Sequence, residues 1–172
     1  IQDLAAAPRE SILAAWMGLG YNNRAINLHK TAQFVTEFYK GDLLRALKDT
    51  KLPGIGPYTH SAIRIFAANE NIVTVDTNIR RIFIHEFSLS EHTSDNELYA
   101  LATDCLPTGQ SRDWHNALMD YGALHLTSQR TGIKPRTTQS TFEGSDRQMR
   151  AQILRVILTK PCTIQELLCV CS

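Results

Sequence analysis

Apolar residues recur along this chain at intervals of three and four, and no segment sustains the two-residue alternation of a half-buried strand. Ile12, Leu13 and Trp16 mark a first helix, with Pro8 in its opening turn and its end at Gly18 or Gly20. Ile26, Leu28, Ala32, Val35 and Phe38 mark the next, which Asn23 caps and Gly41 closes. Asp42 caps a short helix through Leu43, Leu44 and Leu47. From Tyr58, a helix carries Ala62, Ile63, Phe66 and Ala67 on one face and ends near Asn69–Asn71. Residues 72–75 form a short extended link. Asp76 then takes the N-cap of a helix through Ile79, Ile82 and Phe83. Ser94 and Glu97 form a capping box ahead of Leu98, Leu101 and Ala102. Pro107 and Gly109 break the pattern, and a helix runs from about Arg112 to Leu126. The predicted class is all-α.

The pattern weakens after residue 126. Residues 127–144 are polar, contain Gly132 and Pro135, and read as a linker or long loop between a main domain, 1–126, and a C-terminal helical pair, 145–172. In that pair, Ser145 and Gln148 predict a capping box for a helix bearing Met149, Ile153, Val156 and Ile157. Pro161 breaks it, and Thr163 with Glu166 predicts another box ahead of Ile164, Leu167 and Leu168. Two short capped helices either begin a winged-helix module or dock on the main body.

Composition changes this picture little. The 172 residues suffice for one core with a small appendage, and 43% apolar with 20% charged residues is ordinary for a globular protein. A net charge of +1 does not announce a nucleic-acid partner. Arg130, Lys134, Arg136, Arg147, Arg150, Arg155 and Lys160 do crowd the C-terminal part, where they either meet a phosphate backbone or form a solvated face. No apolar run is long enough to span a membrane, and no secretory signal is visible. Cys105, Cys162, Cys169 and Cys171 read as small buried residues or free thiols of a reduced cytoplasmic protein.

The stretch Leu52-Pro53-Gly54-Ile55-Gly56-Pro57-Tyr58-Thr59 is the chemical centre of the chain. It is too short and glycine-rich for a helix or a strand. Gly54 and Gly56 permit positive φ and close backbone approach. A tight turn opening a helix aims N–H groups and a positive dipole end at one spot, which suits phosphate. An ordinary interhelical turn is the competing reading.

One helix downstream of the turn stands Val75-Asp76-Thr77-Asn78-Ile79-Arg80-Arg81-Ile82. The two motifs in this order, with a helix between them, resemble the helix-hairpin-helix DNA glycosylases of the endonuclease III superfamily. Asp3-Leu4-Ala5-Ala6-Ala7-Pro8, Trp16-Met17-Gly18-Leu19-Gly20-Tyr21 and Arg24-Ala25-Ile26-Asn27-Leu28-His29-Lys30 are similar to its MutY adenine-glycosylase branch. Ala117-Leu118-Met119-Asp120-Tyr121-Gly122-Ala123 resembles the helix that closes that domain.

The resemblance implies a helix-hairpin-helix glycosylase fold with a short C-terminal extension. It implies a monomeric base excision repair enzyme acting on double-stranded DNA that contains a mispair, cytoplasmic at the nucleoid, or nuclear in a eukaryote. Asp76 becomes the catalytic anion, against the plainer reading of a helix cap, and Asn78 a contact to sugar, phosphate or leaving base. Tyr58 stands where bifunctional relatives carry a lysine. It cannot form a Schiff base, so hydrolysis by water is expected. Leu52, Gly54, Ile55, Gly56 and Thr59 form the expected phosphate contact, and the hairpin carbonyls could hold a monovalent cation. Tyr21 resembles an aromatic wedge, with a core tyrosine as the alternative. Arg24 reaches phosphate or faces water, as do His60, Arg64, Arg80 and Arg81.

Departures from the family pattern set the remaining expectations. Many relatives carry an iron–sulfur cluster after the closing helix. Residues 124–140 contain no cysteine, so no cluster and no other metal cofactor is expected. The family's general-acid glutamate would precede Asp3, so the chain reads as a fragment or an N-terminally shortened homologue with helices missing. The domain by which MutY reads 8-oxoguanine is also absent, and Thr77 replaces a customary glycine. The leading expectation is removal of adenine opposite guanine or 8-oxoguanine. Thymine or uracil removal from mispairs with guanine is the second. A non-catalytic DNA-binding module is the third.

Overall fold

The computed structural model describes residues 1–137 and 140–170, with 168–170 as backbone only. Its helices in chain order are α1 (Gln2–Ala6), α2 (Arg9–Trp16), α3 (Asn23–Tyr39), α4 (Leu43–Asp49), α5 (Pro57–Ala68), α6 (Thr77–Glu86), α7 (Asp95–Cys105), α8 (Ser111–Leu124), α9 (Ser128–Thr131), α10 (Asp146–Thr159) and α11 (Ile164–Val170). Among the described residues no strand occurs, as the periodicity predicts. The chain divides into two compact units, Ile1–Gly54 with Gln139–Ser172, and Ile55–Thr138.

The first unit is built on α3. Ala25, Ala32 and Val35 are buried along one side of it, and their small or β-branched side chains let α1 and α2 lie against it. The helix ends where Lys40 and Gly41 turn left-handed, at φ 54° and 88°. The Gly41 N–H closes the last turn on the Val35 carbonyl at 3.0 Å. The structure departs from four expectations in this unit. It adds α1, which the periodicity does not mark. Asn22 rather than Asn23 holds the N-cap of α3, and Pro8 sits at the N-cap of α2, one position before its first turn. Ser145 does cap α10 by position, but its hydroxyl donates back to the Phe142 carbonyl. Gln148 Oε1 accepts from the Gly144 N–H, so the expected box does not close. The box at Thr163 and Glu166 does close, at 2.7 and 3.3 Å.

The core of the second unit is Ile79, Ile82, Phe83, Leu98, Ala102 and Leu126, with Trp114 and Leu118 packed against it. Each large side chain removed from water there contributes roughly 1.5–3 kcal/mol. Ile79 and Ile82 face α8, and Gly122 sets how close that helix comes. A Cβ at Gly122 would lie 3.1 Å from Ile82 Cδ1 and 3.7 Å from Asn78 Cβ. On α5 the fully buried residue is Ile65. The face expected inside, Ala62, Ile63 and Phe66, is half-buried, and Ala67 is exposed. With Tyr58 and Thr59 those four residues line one shallow groove. The capping box at Ser94 and Glu97 forms as expected. The stretch after α8 is not all loop, since Thr127 caps the short helix α9.

Candidate functional site

The start of α6 concentrates the chemistry of the second unit. Asp76 Oδ1 accepts the N–H groups of Asn78 and Ile79, at 2.9 and 2.8 Å. The carboxylate is half-buried and fixed on the positive end of the helix. Its second oxygen accepts no hydrogen bond among the described residues.

The backbone leading to Asp76 is pinned from behind. His115 is fully buried on α8. Its Nδ1 donates to the Ser111 carbonyl at 2.6 Å, and its Nε2 accepts the Thr74 N–H at 3.1 Å. Thr74 requires an acceptor, so the ring is held as one neutral tautomer. Ser111 Oγ donates to the Ile72 carbonyl at 2.7 Å. Neither residue stands out in the sequence. Their spacing, i and i+4 on one helix face, is the only signal they leave there.

Arg80 and Arg81 lie inside the fold, 6% and 8% exposed, neither reaching outward for phosphate nor facing water. Arg81 donates Nε–H to the Leu126 carbonyl and Nη2–H to Asn78 Oδ1, the latter at 2.8 Å. Arg80 donates to the carbonyls of Glu91 and Lys134, at 2.6 and 3.4 Å. The two guanidinium groups thus tie α6 to the segment beyond α8. Asn78 is held by Arg81 and packs towards Gly122. Arg64 pairs with Glu70 at 2.6 Å.

Tyr58, in the first turn of α5, feels Asp76. Burial, then the Asp76 carboxylate, then Tyr99 hold its phenol above the usual tyrosine range. It is 43% exposed and stays protonated at neutral pH. The hairpin ahead of it falls into two halves. In the first unit, Leu52 is buried at 5% exposure, so only its backbone can meet a ligand. The Pro53 carbonyl already accepts the Thr31 hydroxyl at 2.9 Å. Gly54 has φ 69°, and a Cβ there would lie 2.5 Å from Asn27. In the second unit, Gly56 adopts φ −83°, an ordinary value, so positive φ does not explain it. Nothing lies within 4 Å of a Cβ placed there. No side chain caps α5, Pro57 has no N–H, and Ile55, Gly56 and Thr59 leave its N-terminus open.

Tyr21 and Arg24 belong to the first unit. Tyr21 has φ 51° and is 52% exposed at the tip of the loop between α2 and α3. Arg24 turns back onto that loop. It donates to the Leu19 carbonyl at 3.0 Å and sits 5.2 and 5.7 Å from the Trp16 and Tyr21 ring centroids.

A model of the HhH-GPD superfamily base excision DNA repair proteins matches residues 1–107, which hold both the hairpin and the α6 motif. The chain belongs to this superfamily. It is similar to the adenine DNA glycosylase of Buchnera aphidicola subsp. Baizongia pistaciae, at 35% identity over 72% of this chain and 36% of that one. It is 34% identical to the adenine DNA glycosylase of Mycolicibacterium smegmatis over 95% and 63%, and 29% identical to that of Homo sapiens over 90% and 29%. A solved thermostable thymine-DNA glycosylase superposes with TM-score 0.62 at 28% identity, covering 78% of this chain and 63% of that one. The chain therefore spans less than two thirds of the length of each of these relatives.

The segment after α8 contains no cysteine between residues 124 and 140. A cubane cluster needs four thiolates, and this segment offers instead Leu126 and Ile133, buried at 7% and 8% exposure. The donor set there does not fit a cluster. Among the described residues no three His, Cys, Asp or Glu side chains gather as a metal site. Cys105 and Cys162 are free. The Cys169 side chain and Cys171 lie outside the described residues, as does the Leu168 side chain. No described helix is long and apolar enough to cross a membrane.

Proposed function

We propose that the chain carries the excision site of a monofunctional DNA N-glycosylase that acts on mispaired adenine, opposite guanine or 8-oxoguanine, in double-stranded DNA. The observation that carries this reading is the Asp76 carboxylate, fixed at a helix N-terminus with a tyrosine, rather than a lysine, within its field. The target base must leave the stack before its bond can be cut. As the N-glycosidic bond breaks, its electron pair departs with the base and positive charge develops on the sugar. A carboxylate already bonded to two N–H groups meets that charge without reorganising. Water adds its oxygen to the sugar carbon, and the proton it gives up balances the one that the departing base takes up at the nitrogen it left with. The products are a free base and an abasic site in an intact strand. Tyr58 has no amine, so it forms no Schiff base with the sugar. The open start of α5 takes phosphate, and Tyr21 fills the stack beside the vacated position.

The adenine assignment rests on the names of the curated relatives. The solved thymine-DNA glycosylase favours a second reading, removal of thymine or uracil opposite guanine. The deciding experiment uses the protein as its gene encodes it, on duplexes holding A·G, A·8-oxoG, T·G and U·G. Release of adenine, with strands broken only after alkali, is expected. Release of thymine or uracil instead would transfer the site to the second reading. Binding without release from any duplex would leave a DNA-binding module. The proposal includes no iron–sulfur cluster, and an iron assay finding a cluster's complement per chain would overturn that part.

A further inference from the structure

We infer that Arg147 of α10 is a positioning residue for Tyr21, so that the C-terminal helix takes part in unstacking the duplex. This rests on the reading of Tyr21 as the residue that enters the stack. Tyr21 sits on left-handed backbone next to Gly20, with φ values of 51° and 68°, and about half of its surface is exposed. Its one polar atom, Oη, accepts from Arg147 Nη1 at 3.1 Å. The other terminal nitrogen, Nη2, donates to the Ser140 carbonyl, to Ser140 Oγ at 3.3 Å and to the Thr141 carbonyl at 3.4 Å. The guanidinium carbon lies 5.8 Å from the Tyr21 centroid and 6.0 Å from that of Phe142.

One terminal nitrogen of the fork, Nη2, is thus spent on the turn that precedes α10, which holds the side chain. The other, Nη1, points across at the tyrosine. Arg24, in the first turn of α3, flanks the same ring at 5.7 Å. An exposed aromatic on a loop otherwise samples several rotamers, and every one that does not match the stack lowers the yield of the inserted state. Two guanidinium groups at the ring restrict that freedom while half of its surface stays open to a base.

The test places 2-aminopurine next to the mispair and reads its fluorescence at saturating protein, where unstacking raises the signal. Tyr21→Ala should abolish the rise. Arg147→Ala, which removes both the hydrogen bond and the cation–π contact, should cut it about fivefold, and Tyr21→Phe, which removes only the hydrogen bond, should cut it about twofold. Because the bond lost in Tyr21→Phe is already lost in Arg147→Ala, the double variant should lose no more than Arg147→Ala alone. A parental signal from Arg147→Ala, with Tyr21→Ala silent, overturns the positioning role and leaves the reading of Tyr21 standing. A parental signal from Tyr21→Ala overturns the reading beneath it. Should Arg147→Ala lose helical structure, Tyr21→Phe decides alone, since it deletes only the hydroxyl, and an unchanged signal then overturns the inference.

Discussion

Two helices of the second unit begin within twenty residues of each other and treat their N-termini in opposite ways. α6 carries its own anion, the Asp76 carboxylate, bonded to two of its first N–H groups. α5 begins at Gly56, has no side-chain cap, and presents its dipole to solvent. The same physics, a positive helix end seeking negative charge, is satisfied from inside in one case and left for a ligand in the other. On the proposed function, the capped end holds a carboxylate rigid for a developing cation, and the open end receives an anion that comes and goes.

The largest effect should come from breaking the capped end. Asp76→Asn keeps the shape and the N-cap, so stability should change by no more than about 0.5 kcal/mol. It removes the charge that meets the sugar cation, and base excision should fall on the order of 10² or more. Single-turnover excision with duplex binding measured alongside separates the two. Parental turnover would reduce Asp76 to a cap. Tyr58 sharpens the same comparison. Its pKa is raised by burial first and by Asp76 second. The phenol therefore keeps its proton through the ordinary tyrosine range and loses it only as pH climbs through the raised value. In Asp76→Asn that loss should begin at lower pH, yet still above free tyrosine, because the burial remains. Difference absorbance against Tyr58→Phe would report it.

A middle-sized effect should come from the support behind α6. Arg81→Met keeps most of the buried volume but strands the Leu126 carbonyl and Asn78 Oδ1. Two unsatisfied acceptors should cost about 2–4 kcal/mol in urea unfolding. A loss under about 0.5 kcal/mol would mean that Arg81 braces nothing. This support is not legible in the sequence, and the reason is physical. Arg81 and Arg80 bond to backbone carbonyls at residues 126, 91 and 134, and a carbonyl leaves no mark in residue identity. The same holds for His115, whose partners are the Thr74 N–H and the Ser111 carbonyl. Asp76, Asp42 and the Ser94 box are legible because a cap acts on donors two or three residues away. The Ser145 pattern misleads because its glutamine finds the Gly144 N–H first. The hairpin is legible as a motif, but nothing in its sequence tells that its two glycines serve different ends.

Gly54 and Gly56 look alike in sequence and differ in space. Gly54 needs its glycine for the fold, with φ 69° and Asn27 where a Cβ would go. Gly56 does not: its φ of −83° and ψ of 176° suit an N-cap of any kind, and a Cβ there would stand in open space. Gly56→Asp would therefore make α5 resemble α6. The new carboxylate would accept the free N–H groups of the first turn, and unfolding should show a gain of a few tenths of a kcal/mol. Phosphate would then meet a like charge where it had met bare donors. Affinity for every duplex, mispaired or not, should fall by about tenfold at low salt, and the slope of affinity against salt should flatten by about one unit. Gly56→Ala is the control, since it fills the same space without charge and should lose less. If Gly56→Asp bound duplexes as the parent does, the open start of α5 would not be a phosphate site. Its bare N-terminus would then be only the consequence of a turn that needed Pro57.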